Sequence, residues 1–364
     1  MLISRLYVAG YPLDHPRVRA FASRLQINPT PLEDTAALYR RIKQEADPWQ
    51  YGKQALLLTR NKGTFLKACP GTRDYTCCGY KILHIGTYCT MDCSYCILQS
   101  YFHPPLLRFY LNHEDLMAEL EAAFEKKAPQ RIGTGEFTDS LIWEGCTDLT
   151  ARLIERFGGQ RRAVLELKTK TTAIGHLKAL HHNRKTIVSW SLNSPAIIAS
   201  EERGTAGLQS RLRTAAQCQA WGYPLAFHFD PLVIYPGCEN DYHQVLKRLF
   251  TTVSAENIAW ISMGSMRFMP ALKAIIEQRF KASTIIHGEF VSGLDGKMRY
   301  FKPLRTRLYR QMAHWISKLA PRVTVYLCME DDQVWRQGLG FSPGSENGLS
   351  AMLDESARQH CDLL

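Results

Sequence analysis

The cysteines are the residues best suited to chemistry, and their spacing needs a cause. The chain has 364 residues and 11 cysteines. Cys69, Cys77, Cys78, Cys89, Cys93 and Cys96 crowd into one short stretch, while Cys146, Cys218, Cys238, Cys328 and Cys361 are scattered. Within the crowd, Cys89-Thr90-Met91-Asp92-Cys93-Ser94-Tyr95-Cys96 is a CxxxCxxC run. Three thiolates at this spacing can wrap one face of an iron–sulfur cube, hold three of its four irons and leave the fourth for a small molecule. The same thiols can instead hold zinc if His103 or Cys69 supplies a fourth ligand. Cys69, Cys77 and Cys78 are of the right type for an auxiliary cluster, but no fourth ligand is obvious, and buried inert thiols are the ordinary alternative.

Such ligands need a frame. From about residue 80 the pattern alternates strand and helix, with strands expected at Ile82–Gly86, Arg131–Phe137, Ala163–Lys168, Thr186–Leu192, Pro224–Ile234 and Ile258–Gly264. Helical spacing over Glu114–Lys127 and Asp148–Phe157 fills two of the intervals. Strands alternating with helices predict parallel βαβ units, either a partial (βα)6 TIM-type barrel or an open doubly wound sheet. In both, chemistry sits at the C-terminal ends of the strands. The triplet follows the first of them.

Residues 1–80 predict an α/β extension, with strands at Leu6–Ala9 and Ala55–Thr59 and helices over 17–25 and 32–46. Residues 81–280 are the barrel, and 281–364 predict a C-terminal basic α+β subdomain with strands at Thr284–His287 and Val323–Cys328.

Composition narrows the class. The chain is 45% hydrophobic and 22% charged, as expected of a soluble globular protein with a sizeable core. No run of 18 apolar residues exists, so no membrane span is expected. The first residues, Met1 to Tyr7, meet Gly10, Pro12 and Asp14 before a signal-peptide core can form, which predicts a cytoplasmic protein with reduced thiols.

The net charge of +11 favours a polyanionic partner. The stretch Lys297–Arg310 concentrates that charge in Lys297, Arg299, Lys302, Arg305, Arg307 and Arg310, with Tyr300, Phe301 and Tyr309 between them. Asp295-Gly296 just before it is a hairpin-turn signal. A basic hairpin carrying aromatics can grip phosphates and stack on or wedge between bases; a solvated basic helix face is the plainer reading. On the fifth strand, His228 and Asp230 alternate with aromatics, so both can face the barrel interior and contact substrate, or form a satisfied buried pair.

The triplet in this setting resembles that of radical S-adenosylmethionine (SAM) enzymes. There SAM chelates the free iron of a [4Fe-4S] cluster, and its reductive cleavage yields an adenosyl radical. A longer, colinear set of residues is similar to the spore photoproduct lyase family. It runs through Cys96-Ile97-Leu98-Gln99, Phe109-Tyr110-Leu111-Asn112, Lys168-Thr169-Lys170, His176-Leu177, Trp190-Ser191-Leu192-Asn193 and Gly204-Thr205. It continues through Gly222-Tyr223-Pro224-Leu225, Arg267-Phe268 and Lys297-Met298-Arg299-Tyr300, covering about residues 50 to 330.

The resemblance implies a partial radical SAM barrel, a [4Fe-4S] cluster on Cys89, Cys93 and Cys96, and SAM held near Tyr95, Gly135, Glu136, Asp139, Lys170, Ser191 and Asn193. It implies a lyase that repairs a thymine lesion in DNA, with Arg267, Lys297, Arg299 and Tyr300 on the substrate side. It also implies a one-electron donor such as flavodoxin or ferredoxin.

Two positions depart from the family pattern. Phe137 stands where the family has a cysteine that returns a hydrogen atom to the product, and Ile97 stands where a tyrosine usually follows the last cluster cysteine. A phenylalanine has no hydrogen weak enough to donate, so Tyr95, Cys146 and Cys328 are the candidate donors. The expected function is radical SAM chemistry on nucleic acid, DNA favoured, with spore-photoproduct repair as the leading case. A modified nucleoside is the alternative substrate. A zinc- or cluster-stabilised nucleic-acid-binding protein without turnover is the alternative of another class.

Overall fold

A computed structural model describes residues 3–71, 74–344 and 348–364; Met1 and Leu2, read above as part of the N-terminal segment, lie outside the described residues. An eight-stranded sheet frames the molecule. Its parallel strands in chain order are β1 (Lys81–Leu83), β2 (Gln130–Gly133), β3 (Ala163–Thr169), β4 (Thr186–Ser191), β5 (Leu225–Leu232), β6 (Ile258–Ser265) and β7 (Thr324–Leu327). Each pairs with the next in sequence, so the connections return to the same edge and the sheet grows in one direction. Leu66–Ala68 adds an antiparallel strand beyond β1.

The central strands are buried on both faces, β6 along its whole length, and the polar residues that alternate within β3 and β5, such as Glu166 and His228, are buried with them. Helices Leu149–Gly158 and Leu208–Ala220 turn Leu153, Ile154 and Phe157, and Leu212 and Ala215, onto the outer face. The partial (βα)6 barrel expected from the sequence is thus present, and β7 extends it.

A second, five-stranded sheet lies beside it, built on Arg5–Val8, Ala55–Thr59, Pro29–Pro31, Leu107–Tyr110 and Gly86–Thr87. The division expected at residue 80 is crossed in both directions. Leu66–Ala68 belongs to the barrel sheet, while Gly86–Thr87 and Leu107–Tyr110 belong to the N-terminal one. β7 likewise carries the barrel sheet across residue 280. One hydrophobic core joins Leu6 and Leu56 of the extension to Val188 and Ile261 of the barrel and Trp335 near the C-terminus.

The strand expected at Thr284–His287 is a turn. Its Ile285 and Ile286 are buried in a satellite core with Phe268, Ile276 and Tyr300, so their apolar character reflects packing rather than strand pairing. The hairpin forms further on, from Phe290–Ser292 and Met298–Tyr300, with Gly296 at φ +73° supplying the left-handed turn residue. Among the described residues, no helix is long and apolar enough to cross a membrane.

Candidate active site

The strand ends open into a cavity of about 330 Å³, within the range that encloses a small-molecule cofactor or a nucleotide. Cys89, Cys93 and Cys96 line it on the loop that follows β1. Several side chains fix this loop from below. Lys53, almost fully buried, donates to the carbonyls of Cys89 (2.9 Å) and Met91 and pairs with Asp92 at 3.5 Å. Gln99 donates to the carbonyls of Cys93 (3.2 Å) and Ser94 (2.9 Å). A short antiparallel pairing of Asp92–Cys93 with Glu202–Arg203 ties the loop to the far side of the barrel.

The ammonium of Lys170 lies 3.8 Å from the Cys93 sulfur, donates to the Tyr95 hydroxyl at 2.6 Å and pairs with Glu202 at 3.2 Å. Tyr95 in turn donates to Glu202, which also pairs with Arg211. Burial alone would raise the Glu202 carboxyl, but the Lys170 and Arg211 charges outweigh it and hold the group at about 2. Burial pushes the Cys93 thiol up to about 11 against the pull of Lys170, and pushes Cys89 up further. A metal must therefore displace their protons, and Lys170 and Lys53 supply the positive charge that makes the thiolates tolerable.

This donor set fits an iron–sulfur cube, each thiolate taking a different iron. Among the described residues, no group of three or more His, Cys, Asp or Glu side chains is placed to hold a single metal ion.

Gly135 and Glu136 follow β2 at the cavity wall. A Cβ on Gly135 would stand 2.8 Å from the Lys168 Cβ and 3.0 Å from its carbonyl, so no side chain fits between these strand ends. Glu136 is ion-paired with Lys168, whose charge is strengthened by Glu136 and Glu166 although burial opposes it. Ser191, at the end of β4, also lines the cavity.

Asp139 lines the cavity too, but its carboxylate accepts from Lys170 N (2.9 Å), Leu141 N (3.0 Å) and Thr169 Oγ1 (2.8 Å). It therefore shapes the loop that carries Lys170. Asn193 is a correction. It is fully buried outside the cavity, donating to the Pro231 carbonyl at 2.9 Å and accepting from Tyr242 and Ser194 N, so it ties the end of β4 to β5 and does not face the cofactor site.

On the substrate side, His228, Asp230, Arg267 and Lys297 all face the cavity. His228 Nε2 and a Glu166 oxygen are 2.6 Å apart, and Arg267 grips Asp230 through two hydrogen bonds of 2.9 and 3.1 Å. Arg299 and Tyr300 are corrections. Arg299 is 1% exposed, paired with Asp295 at 2.7 Å and set 4.1 Å over the Tyr75 ring, while the Tyr300 hydroxyl accepts from Ile234 N at 3.1 Å. Both hold the hairpin together from inside. Arg305 is likewise buried against Glu330 at 3.0 Å. Arg299 and Arg305 are therefore internally paired scaffold, while Arg307 and Arg310 of the same run are exposed, and the exposed tip of the hairpin is Leu294.

Of the candidate donors, Tyr95 and Cys328 line the cavity and Cys146 does not; it sits in the core beside Trp143. Phe137 lines the cavity and packs edge-on against His84 at 4.9 Å.

Sequence reasoning missed Lys168, Glu166, Glu202 and Arg211. Glu166, Lys168 and Lys170 are spaced by two along one strand, a period that could have flagged a charged inner face. Nothing local marks Glu202 or Arg211, which meet Lys170 only through the fold.

A parallel half-barrel with three thiols and an array of charged pairs at its strand ends defines a cofactor-binding α/β barrel. The chain belongs to the spore photoproduct lyase family, whose model matches residues 7–320. It is 28% identical over 200 residues to spore photoproduct lyase of Bacillus subtilis, covering 54% of this chain and 58% of the relative, and 28% identical over 201 residues to that of a Geobacillus species, covering 54% and 59%. These alignments thus span less than two thirds of the curated relatives. Among solved structures, the fold is similar to a mutant spore photoproduct lyase with dinucleoside spore photoproduct, at a TM-score of 0.79 and 22% identity, over 90% of this chain and 99% of that one. A related double mutant with bound AdoMet and the same dinucleoside gives a TM-score of 0.78, also at 22% identity, with the same coverage.

Proposed function

We propose that this chain is a radical SAM enzyme acting on nucleic acid, with a spore-photoproduct-type thymine lesion in DNA as its substrate. One observation carries the reading: in a member of this family, the three clustered thiols share a single cavity with Glu136, Lys170, Ser191, His228, Asp230 and Arg267. Cys89, Cys93 and Cys96 would hold a [4Fe-4S] cluster. Gly135, Glu136, Lys170, Ser191 and Tyr95 would receive SAM, whose charged amino-acid end suits a carboxylate and an ammonium. When bound and reduced by one electron, from a donor such as flavodoxin or ferredoxin, this pair supplies an adenosyl radical.

The chain's own residues do the rest. Lys170 and Lys53 balance the thiolate charge, and Gly135 lets the ends of β2 and β3 close together at the cavity wall. The apolar wall of Phe137, Met91 and Leu98 keeps water from a reactive radical. Arg267 and Lys297 present positive charge toward a phosphate or a thymine carbonyl, and Leu294 at the hairpin tip is placed to press against bases. In this reading residues 81–280 hold the cluster and SAM, 281–364 present the hairpin and complete the cavity wall, and the protein works in the cytoplasm.

Phe137 favours a second reading, the same radical chemistry on a modified nucleoside. Anaerobic reconstitution tests the core of both. The protein should turn brown, bind iron and sulfide, and form 5′-deoxyadenosine from SAM, and Cys93→Ala should abolish that cleavage. A colourless, zinc-binding protein with unchanged nucleic-acid affinity would replace both readings with a binding protein.

A further inference from the structure

The barrel sheet is open, and its two edges meet at a seam. One edge ends at Ala68, the other at Leu327, and residues 69–71 and 74–80 close the gap, with Thr76 N donating to the Glu330 carbonyl at 3.2 Å. A narrow void of about 20 Å³ in this seam is lined by Cys69, Cys77, Cys78 and Cys328. Cys69, Cys78 and Cys328 also line the main cavity, which they share with Phe137 and the cluster thiols. Two segments distant in sequence thus bring sulfur to one patch of wall. Cys328 holds the most telling place in it. It follows β7 at the strand's C-terminal end, its N–H donates to the Met263 carbonyl at 2.8 Å, and its sulfur is 3.4 Å from the Arg267 guanidinium that grips Asp230.

We propose that Cys328 is the hydrogen-atom donor of this enzyme, replacing the cysteine that Phe137 displaces, with Cys78 as its neighbouring thiol across the seam. The inference rests on the repair reading above. After the lesion fragments, a carbon radical remains on the product. The Cys328 S–H bond breaks, a C–H bond forms, and a thiyl radical is left on Cys328. One electron from the same class of one-electron donor and one proton from solvent restore the thiol. Burial keeps the Cys328 thiol protonated, as a hydrogen-atom donor must be, raising it to about 12 despite the nearby Arg267 charge. Cys146 is excluded by its place in the core.

The test uses full-length, cluster-loaded protein and a spore-photoproduct-containing oligonucleotide in D2O. Thiol hydrogens exchange with solvent, so wild-type protein should restore thymine carrying one solvent deuterium. Cys328→Ser, which preserves size and the Arg267 contact, should lower thymine restoration at least tenfold with iron content intact. Cys146→Ser should behave as wild type. Thymine restored by wild-type protein without solvent deuterium would overturn the proposal, as would Cys328→Ser protein that repairs normally, or loss of repair in Cys78→Ser but not in Cys328→Ser. Wild-type protein that cleaves SAM but restores no thymine would instead remove the repair reading on which the proposal stands.

Discussion

Lys170 Nζ lies 3.8 Å from Cys93 Sγ and donates to Tyr95 of the same loop, while its ion pair with Glu202 ties it to the segment that follows β4. A single ammonium thus couples the proposed cluster loop to a buried carboxylate, and that carboxylate to Arg211. Backbone pairing with Glu202–Arg203 places the loop after β1, and these buried charges set the electrostatic surroundings of its thiols.

Replacing Lys170 by Met keeps the length of the side chain and removes the charge. The buried Glu202 then keeps only Arg211 as a cationic partner, and the Cys93 thiolate loses its nearest positive charge. Iron content after reconstitution should fall severalfold, and the melting temperature should drop by several degrees, as expected when one partner of a buried ion pair is removed. Unchanged iron occupancy would show that the lysine serves only the fold.

Glu202 also sets a pH dependence. Its folded value of about 2 lies below the usual 4.5, so it contributes stability that is complete above 4.5 and lost as pH falls toward 2. The difference corresponds to about 3 kcal/mol. Wild-type protein should lose thermal stability steeply below pH 4.5, and Glu202→Gln should be less stable at pH 7 but show a flatter profile. Parallel profiles for the two proteins would remove this role.

At Gly135 a methyl group would press on both the Lys168 side chain and its carbonyl. Gly135→Ala should cost about 1–3 kcal/mol through overpacking between β2 and β3. It should also weaken SAM binding at least tenfold, measured by calorimetry on reconstituted protein. A stable protein with normal SAM affinity would show that the strand ends part more easily than their packing implies.

Arg299 was the natural candidate for a phosphate grip, and its burial reverses the expectation. Arg299→Ala leaves Asp295 with only Lys297 at 3.3 Å and should cost about 3 kcal/mol of stability. At a temperature where the variant remains folded, duplex affinity should change little. Leu294→Ala should show the converse, normal stability with weaker binding to lesion DNA.

Much of this was legible in the sequence because it is carried by local pattern. The strand at Ala163–Thr169 announces itself by apolar residues alternating with Glu166 and Lys168, that at Thr186–Ser191 by its β-branched start, and the cysteine triplet by spacing. The early end of β2 at Gly133 was not legible. There the chain leaves the sheet because Ser140 N takes the Lys168 carbonyl and its hydroxyl accepts from Thr134, a pairing that only the fold creates. The same holds for the basic run. Arg299 and Arg305 signal a surface until Asp295 and Glu330, from a turn and a distant loop, are seen to neutralise them inside. The gathering of Cys328 with Cys69 and Cys78 had no trace in spacing, since it depends on two sheet edges meeting.

The most direct test of the account is 5′-deoxyadenosine formation by anaerobically reconstituted, dithionite-reduced protein given SAM, with and without DNA carrying the spore photoproduct. The account predicts SAM cleavage that lesion DNA stimulates, together with restored thymine. SAM left intact by an iron-loaded protein would contradict it at its root.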